Sequence, residues 1–489
     1  MTTGFALPST NLTELARQAL LERHFFPDFS IEAKKELDRI TGPAHPQSSS
    51  IKDLRNKLWF SLDNDDSKDL DQLTYAESLD QGKYKVFIAI ADVDSLVKKD
   101  SALDRHAQNN TVTIYTPTKN FTMLPEKLST DLTSLNPDED RLAIVVEVLV
   151  NPDGSPGDYQ IYSAFVHNYA KLAYNSVSDW LDGKAPIPER IAHAPKIEEQ
   201  IRLQDNIAHL LKKYRHAQGA LTLETIESYA IIKNGQVVDV KILEKNRGRN
   251  LIEDFMIAAN GAVARFLSQH NLPSFKRVVR IPKRWDRIVE IAREKGGSLP
   301  DQPDAKALDL FLIKQRLTDP LHFPDLSLTV IKLLGKGEYI IEYPDQPPVG
   351  HFSLAVKHYT HSTAPNRRYP DIISQRLIKS ILENSRTAYQ PKELERLAKL
   401  CTEREDDADK IERRMKKSAV ILLLASKLNE TFDALVTGSA AKGTWVRIFH
   451  PIVEGKLIQG FENVDVGDTI RVKLVHLDIE KGFIDFIKV

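Results

Sequence analysis

Cysteine is nearly missing from this chain, which holds only Cys401 among its 489 residues. A single thiol excludes an internal disulfide framework and a cysteine-based zinc site. The longest strongly apolar run, Ala419 to Ala425, is far shorter than the roughly 20 residues that a membrane-spanning helix needs. The first residues also lack the basic and apolar regions of a signal peptide. We therefore expect a cytoplasmic protein without a membrane segment.

The chain also lacks an excess of charge of either sign. It has 67 basic and 68 acidic residues and a net charge of −1. Because nucleic-acid-binding proteins often carry a basic excess, any positive charge that binds RNA or DNA here must be local, in a groove or pocket. With 42% hydrophobic and 28% charged residues, the composition is typical of a globular protein. The length suits roughly two to four domains.

Three regions of different character follow one another along the chain. Residues 1–50 predict a short helical extension that ends in a linker. Residues 51–428 mix strands, such as Tyr84–Ala91, with helices, such as Leu251–Leu267. Residues 429–489 hold short strands separated by glycines, the pattern of a small OB-type barrel. We thus expect an α+β fold with mixed β-sheets packed by helices, followed by an all-β barrel.

Five aspartates fall within nine positions, from Asp63 to Asp71. Crowded carboxylates repel each other unless positive charge lies among them. One interpretation is a solvated acidic loop. A second is a calcium loop, but Lys68 takes the glycine position of the EF-hand template and Thr74 its glutamate position. The third is a magnesium site in which Asp63, Asp69 and Asp71 converge from a strand end and a turn.

A second motif places the adjacent arginines Arg367 and Arg368 between Pro365 and Pro370. The prolines hold the chain extended and turned. A guanidinium group matches phosphate oxygens in a bidentate way, and Tyr369 offers a stacking surface. Taken alone, the segment is equally consistent with a phosphate-binding site and with an ordinary surface loop.

Three further candidates have ordinary local explanations. Tyr115 is consistent with a strand-end tyrosine. Glu253 is consistent with a capping box in which Asn250 is the N-cap. Glu412 is consistent with a helical pair to Lys416, worth only about 0.3–0.5 kcal/mol. Local sequence therefore assigns no function to these residues.

Taken together and in this order, the motifs resemble those of the RNB-domain ribonucleases, the ribonuclease II and ribonuclease R family. The resemblance rests on the aspartate-rich stretch and on the segments Phe87–Val93, Met123–Pro125, Leu251–Met256 and Thr363–Tyr369. It implies a catalytic domain at 51–428 and an S1-type RNA-binding barrel at 429–489. It also implies that the extension at 1–50 replaces the family's N-terminal cold-shock domains, which would leave a more open entrance for RNA.

The resemblance implies a role for the aspartates and the first arginine. Asp63, Asp69 and Asp71 match the metal-site aspartates of the family, and Asp71 matches the one most critical for hydrolysis. Arg367 matches the arginine that contacts the scissile phosphate and supports the transition state.

The resemblance also implies substrate contacts. Tyr115 matches the tyrosine that packs against the 3′-terminal nucleotides. Glu253 and Glu412 match acidic residues that line the substrate end of the channel. Arg368 and Tyr369, which adjoin the catalytic arginine, are expected to contact the substrate as well.

Two positions depart from the pattern of the family. Gln72 stands in place of the last metal-site aspartate. Its amide oxygen can still ligate a metal ion, but one negative charge is lost, which weakens a second magnesium ion or leaves its ligation to water. Leu223 stands in place of the aromatic partner of the tyrosine, so it offers apolar contact without stacking, an interaction worth about 1–3 kcal/mol per base.

The implied activity is processive 3′-to-5′ hydrolysis of RNA with a single-stranded 3′ end, releasing nucleoside 5′-monophosphates. The implied cofactor is Mg²⁺ or Mn²⁺, and we expect a monomer. The alternative is a member of the family that Gln72 has catalytically weakened and that acts as an RNA-binding adaptor.

Overall fold

The computed structural model describes residues 11–233, 236–243, 245–344, 346–440, 443–464 and 468–489. Within these residues the helices are α1 Leu12–Glu22, α2 Ile31–Arg39, α3 Ala102–Asn110, α4 Tyr174–Leu181, α5 Glu189–Ala192, α6 Pro195–Ala217, α7 Arg247–Gln269, α8 Trp285–Glu294, α9 Ala305–Thr318, α10 Phe323–Leu334, α11 Tyr369–Leu382 and α12 Pro391–Leu424. The strands are β1 Lys52–Asp53, β2 Trp59–Asp63, β3 Gln72–Ser78, β4 Tyr84–Ala91, β5 Ile114–Tyr115, β6 Asn120–Phe121, β7 Asp140–Val150, β8 Pro156–Ala173, β9 Glu227–Lys233, β10 Gln236–Leu243, β11 Ser274–Val278, β12 Glu338–Glu342, β13 Thr431–Ala440, β14 Gly443–Phe449, β15 Ile452–Gln459, β16 Thr469–Asp478 and β17 Phe483–Lys488.

The central sheet has the strand order β1-β8-β2-β3-β4-β7, and β8 pairs with β7 as well. At 18 residues, β8 is long enough to pair antiparallel with β7 and then parallel with β2. The sheet therefore curls back on itself. Successive residues of a strand point to opposite faces, and in β4 Ile88 packs with the helices while Phe87 packs with Trp59 on the other face. Burial on both faces explains the continuous apolar run of this strand.

Helix α12 connects the three regions of the fold. Leu397, in its first half, joins the core that the central sheet forms with α7 and α11. In its middle, Ile411 and Met415 pack against the apolar face of α1. At its end, Ile421 and Leu424 enter the core of the C-terminal barrel. Any residue on α12 is therefore held in a fixed position relative to all three regions.

The C-terminal region is a closed barrel with the strand order β13-β14-β15-β17-β16. It docks on α10 through an ion pair of 2.8 Å between Arg447 Nη2 and Asp325 Oδ1, and both side chains are largely buried. It docks on α12 through Ser418 Oγ, which donates to the Ile479 carbonyl oxygen at 2.6 Å. The barrel is thus held to the helical part of the central domain.

The predicted α+β class and the small barrel are confirmed. The helix predicted over Leu251–Leu267 is present but begins four residues earlier, at Arg247. Strand β15 has a weak signal in the sequence because Gly455 interrupts its apolar pattern. A side chain at that position would clash with the ring of Phe486 inside the barrel, so the close packing requires glycine. In the described part of the chain, no helix combines the length and the apolarity that crossing a membrane requires.

Candidate active site

The candidate site lies at one end of the central sheet. Asp63 is the last residue of β2, and Asp71 comes immediately before β3. Because β2 and β3 are antiparallel, the end of one and the start of the other lie at the same edge. The aspartate loop, residues 63–71, is the connection between them.

Several contacts from other strands and loops hold the aspartate loop. The Leu70 N–H donates to Ser134 Oγ at 2.9 Å. Lys171 Nζ, from β8, donates to the carbonyl oxygens of Asp65 at 3.3 Å and Ser67 at 2.5 Å. These contacts use backbone atoms of the loop, while Asp63 Oδ1 accepts hydrogen bonds within the loop from the Asn64 N–H at 2.7 Å and from Ser67 Oγ at 3.0 Å.

Asp71 is the buried centre of the site, with an exposed fraction of 2%. Its Oδ1 accepts a hydrogen bond of 2.9 Å from the Asn366 N–H, and its Oδ2 lies 3.3 Å from Arg367 Nε. Burial raises the pKa of Asp71 to about 7, Arg367 opposes that rise, and Asp69 adds to it. The guanidinium therefore offsets only part of the cost of burying this carboxylate.

Arg367 lies in the loop before α11, and 47% of its side chain is exposed. Its carbonyl oxygen accepts from the Thr113 N–H at 3.0 Å, which anchors the loop beside β5. Burial lowers the pKa of Arg367, but Tyr115, Asp71 and the other nearby acidic groups outweigh this and raise it overall. Arg367 is thus a permanent cation with one side on a buried aspartate and the other open to an anionic ligand.

Tyr115 and Glu412 meet beside this pair. The Tyr115 N–H donates to Glu412 Oε1 at 2.8 Å, and the Tyr115 hydroxyl lies 3.5 Å from Asp69 Oδ2. Burial raises the pKa of Glu412, and the Tyr115 N–H opposes this. The contact spans 297 positions of sequence, so Glu412 has a partner that the helical pair with Lys416 did not suggest.

The carboxylates suit a particular type of magnesium site. Burial raises the pKa of Asp69, with Arg367 opposing and Asp63 adding to the shift, so Asp69 lies within electrostatic reach of both. Among the described residues, however, no three His, Cys, Asp or Glu side chains form a group that could hold a metal ion. Magnesium commonly takes only one or two carboxylates and completes its shell with water and substrate phosphates. Asp71 and Asp69 suit that mode better than a closed protein cage.

Gln72 lies close to the aspartates in sequence but is buried at the start of β3. Its exposed fraction is 7%, and it is paired in register with Ile90 of β4. In the described part of the chain, no hydrogen bond joins its amide to Asp63, Asp69 or Asp71. Its predicted role as a metal ligand stays a prediction.

Glu253 and Leu223 lie together on a separate cavity of about 500 Å³. The cavity is also lined by Lys212, Arg215, Lys245 and Arg316, of which Arg215 pairs with Asp254 and Arg316 with Glu224 on the same wall. Helix α7 begins with Asn246 as its N-cap, whose side chain accepts from the Arg249 N–H at 3.0 Å. The capping box with Asn250 is therefore wrong, and Glu253 is an exposed helical residue on the cavity wall.

Arg368 and Tyr369 point into the protein. Arg368 donates to both carboxylate oxygens of Asp371, at 2.9 Å from Nε and 2.8 Å from Nη2. The Tyr369 side chain has an exposed fraction of 0% and belongs to the main core. A wholly buried ring has no surface for stacking on a nucleotide, so the structure does not support the predicted substrate contact of Tyr369. The contact predicted for Arg368 stays a prediction, with its Nε and Nη2 used on Asp371.

Sequence reasoning missed several residues that shape the site. Asn366 supplies the N–H to Asp71, and Lys171 holds the aspartate loop. Tyr174, at the start of α4, lies 4.9 Å from the Arg249 guanidinium. Burial raises the pKa of Tyr174, as does Asp63, which places this ring beside the aspartate loop. Asn366 lies beside Arg367 in the Thr363–Tyr369 motif, whereas Lys171 and Tyr174 come from distant segments that no local pattern marks.

Comparison with known protein families shows to which family the chain belongs. Residues 51–384, more than half of the chain, match the family model of the RNB domain. The chain belongs to the RNB family. Residues 430–489 match the RNase II-type exonuclease C-terminal S1 domain. RNB ribonucleases generally depend on divalent metal ions.

Individual relatives extend this result. Ribonuclease R 1 of Lactococcus lactis is 28% identical over 465 residues, which cover 89% of this chain and 56% of that protein. This chain thus spans about half the length of that relative. The apo form of Mycoplasma genitalium RNase R matches with a TM-score of 0.86 at 22% identity, covering 98% of this chain and 78% of that one. The same protein is also known in complex with ribose-methylated single-stranded RNA.

A third structure shows that the fold does not by itself imply hydrolysis. Yeast Ssd1, described as a pseudonuclease, matches with a TM-score of 0.71 at 16% identity, covering 96% of this chain and 59% of that one. Structural likeness at such identities shows the fold alone, and function has to be argued from the site.

Proposed function

We propose that this RNB protein is a 3′-to-5′ exoribonuclease. It hydrolyses RNA processively from a single-stranded 3′ end and releases nucleoside 5′-monophosphates, acting as a monomer. The catalytic part is residues 51–428, and the barrel at 429–489 contributes affinity for RNA.

The observation that carries the proposal is the contact between Asp71 and Arg367. Phosphodiester hydrolysis needs negative ligands that hold a divalent cation and a positive group that stabilises charge on the phosphate. Here a buried aspartate with two neighbouring carboxylates lies 3.3 Å from a half-exposed arginine. In a purely structural ion pair the two charges usually satisfy each other and are closed off from other ligands. Here the Arg367 guanidinium is open to a further anion.

Each side chain of the site has a role in this reaction. Asp71 and Asp69 would hold Mg²⁺ or Mn²⁺, and ligation by Asp63 and Gln72 stays a prediction from the sequence. When bound, such an ion lowers the pKa of the attacking water and neutralises charge on the leaving oxygen. Arg367 binds the scissile phosphate and stabilises the charge that builds up on it.

The neighbouring residues position the RNA end. The Tyr115 ring packs against the terminal nucleotides, and Glu412 fixes the Tyr115 backbone through its N–H. Leu223 and Glu253 line the path that the preceding nucleotides take. Lys212 and Lys245 on that cavity attract the RNA backbone, whereas Arg215 and Arg316 are paired with Asp254 and Glu224.

The proposal is tested with purified protein, Mg²⁺ or Mn²⁺, and oligoribonucleotides labelled at either end. We expect mononucleotides to be released from the 3′ end while the 5′ label shortens gradually. Tight RNA binding without product in either metal would contradict the proposal.

A second candidate function is RNA binding without turnover. Two observations favour it: the described residues hold no three-acid metal group, and the fold is shared with a pseudonuclease. The same assay separates the two functions, since an adaptor would bind the oligonucleotide and leave its length unchanged.

Replacing Gln72 with aspartate should keep activity and change its metal dependence. A new carboxylate at a position with 7% exposure is costly without a cation, so the melting temperature in EDTA should fall by roughly 2–4 °C for each kcal/mol lost. Magnesium should restore the melting temperature. The magnesium concentration needed for activity should be lower than for the wild-type protein. The control is Gln72→Asn, which carries no charge. Complete loss of activity in Gln72→Asp would show that the glutamine has a role of its own.

Replacing Glu412 with alanine should raise KM for RNA about tenfold, because the Tyr115 N–H loses its acceptor and the clamp loosens. The matched control is Glu412→Gln, whose amide oxygen can accept the same hydrogen bond and should keep KM within about threefold of wild type. Initial rates over a range of RNA concentrations measure both. If the glutamine variant is as impaired as the alanine variant, the charge of Glu412 itself acts on the substrate.

A further inference from the structure

Arg249 is a cation beside the aspartate loop that the proposed reaction leaves without a role. It lies in the first turn of α7, and its Nη2 donates to Asn64 Oδ1, next to Asp63. Its guanidinium stacks 4.9 Å from the centre of the Tyr174 ring. The charges of both Arg249 and Arg367 lower the pKa of that tyrosine. The two arginines therefore lie around the same acidic site.

Arg249 has no ion-pair partner among the residues that the structure describes. In the described part of the chain, no carboxylate lies within 4 Å of its guanidinium. Its Nε is buried and has no hydrogen-bond partner among those residues. Other arginines near the site differ, since Arg368 has Asp371 and Arg376 has Asp94 and Asp104. The Nε of Arg141, Arg215 and Arg404 also lacks a partner, so what singles out Arg249 is a guanidinium beside the aspartate loop without a carboxylate partner among the described residues, which suits an anionic acceptor that arrives with the substrate.

The position of Arg249 indicates which group of the substrate would accept its hydrogen bond. It precedes Glu253 by four residues, one turn along the same face of α7, and Glu253 lines the neighbouring cavity with Leu223. Arg249 thus lies between the aspartate loop and the predicted path of the RNA. The start of a helix also favours negative charge.

We propose that Arg249 binds a backbone phosphate of the RNA next to the scissile one. This inference rests on the proposed function and adds a second phosphate contact to that of Arg367. The rival explanation is structural: Arg249 could serve only to hold Asn64 and hence the aspartate loop.

Salt dependence of RNA binding separates the two explanations. Each phosphate contact to single-stranded nucleic acid contributes about 0.7 to the slope of log Kd against log salt concentration. In an Asp71→Asn background, which prevents hydrolysis, we expect Arg249→Gln to weaken binding of a 5′-labelled oligoribonucleotide about tenfold and to reduce the slope by about 0.7. Arg249→Lys should keep the slope. The control is Arg202→Gln. Arg202 lies on α6 and is paired with Glu198, so this substitution should change neither the affinity nor the slope.

A neutral linkage in the RNA locates the contact. A single methylphosphonate at the phosphate that Arg249 binds should weaken binding by the background protein but not by the Arg249→Gln protein. Methylphosphonates at other linkages should weaken both proteins equally. Melting temperatures of all variants show whether they are folded.

The outcomes are distinct. The structural explanation makes two predictions: Arg249→Gln leaves the salt slope unchanged, and this variant needs a higher concentration of Mn²⁺ to bind the metal ion. These two results together would overturn the inference. If the background protein binds no RNA and the unaltered protein degrades none, the proposed function fails and the inference fails with it. If the unaltered protein degrades RNA and Arg249→Gln keeps the slope, only the inference about Arg249 is lost.

Discussion

Asp71→Asn should abolish release of mononucleotides, lowering kcat by on the order of 10³- to 10⁴-fold, the loss expected when a member of a catalytic unit is removed. The change replaces one carboxylate oxygen by an amide nitrogen, which weakens metal binding and the contact to Arg367. The remaining oxygen can still accept from the Asn366 N–H, so RNA binding should stay within a few-fold of wild type. Single-turnover cleavage and fluorescence polarisation measure the two effects.

The matched control for Asp71→Asn is Asp66→Asn. Asp66 lies on the same loop but is exposed, so its loss should leave kcat within about twofold. Equal damage from both variants would mean that the loop acts through its total charge, and the role proposed for Asp71 would be wrong.

The raised pKa of Asp71 also predicts that the stability of the protein in EDTA depends on pH. Burial raises its pKa from 3.8 to about 7, so between these pH values the folded protein holds a proton that the unfolded chain releases. Its contribution to the free energy of unfolding therefore falls as pH rises through this range. The melting temperature of Asp71→Asn should exceed that of wild type by more at pH 8 than at pH 5. A difference that is independent of pH would contradict this.

Arg367→Met should lower kcat by roughly 10²- to 10³-fold, the usual cost of removing one group that stabilises charge in the transition state. KM should change less, because the exposed guanidinium acts chiefly on the scissile phosphate. Arg367→Lys keeps the charge but loses the planar fork and should recover only part of the activity. Steady-state kinetics on an unstructured oligoribonucleotide measure these effects. A normal kcat in Arg367→Met would remove the observation on which the proposed function rests.

The adjacent Arg368 provides the comparison for Arg367. Because its fork binds Asp371, which is fully buried, Arg368→Met should act on folding and cost about 3–5 kcal/mol of stability. A lower kcat with normal stability would instead support the substrate contact predicted for Arg368 from the sequence.

Much of the fold was predictable because local patterns agreed with it. The continuous apolar run of β4 and the amphipathic pattern of α7 are properties of adjacent residues, and both elements formed where expected. The order of several motifs identified the RNB family, which no single motif could. Strand β15 has a weak signal in the sequence, since the close approach of Gly455 to Phe486 is a property of the closed barrel.

The sequence by itself determined which residue types could carry chemistry, namely a run of aspartates and a pair of arginines. Only the tertiary structure decided which of them meet. It turned Arg367 toward Asp71 and Arg368 toward Asp371, buried Tyr369 in the core and brought Glu412 to the backbone of Tyr115. The physical reason is that adjacent residues on a chain point in different directions, while contacts between distant segments depend on how sheet and helices pack. For the same reason Arg249, an ordinary helical arginine in sequence, lies beside the aspartate loop, held by Asn64 and Tyr174 and without a carboxylate partner among the described residues.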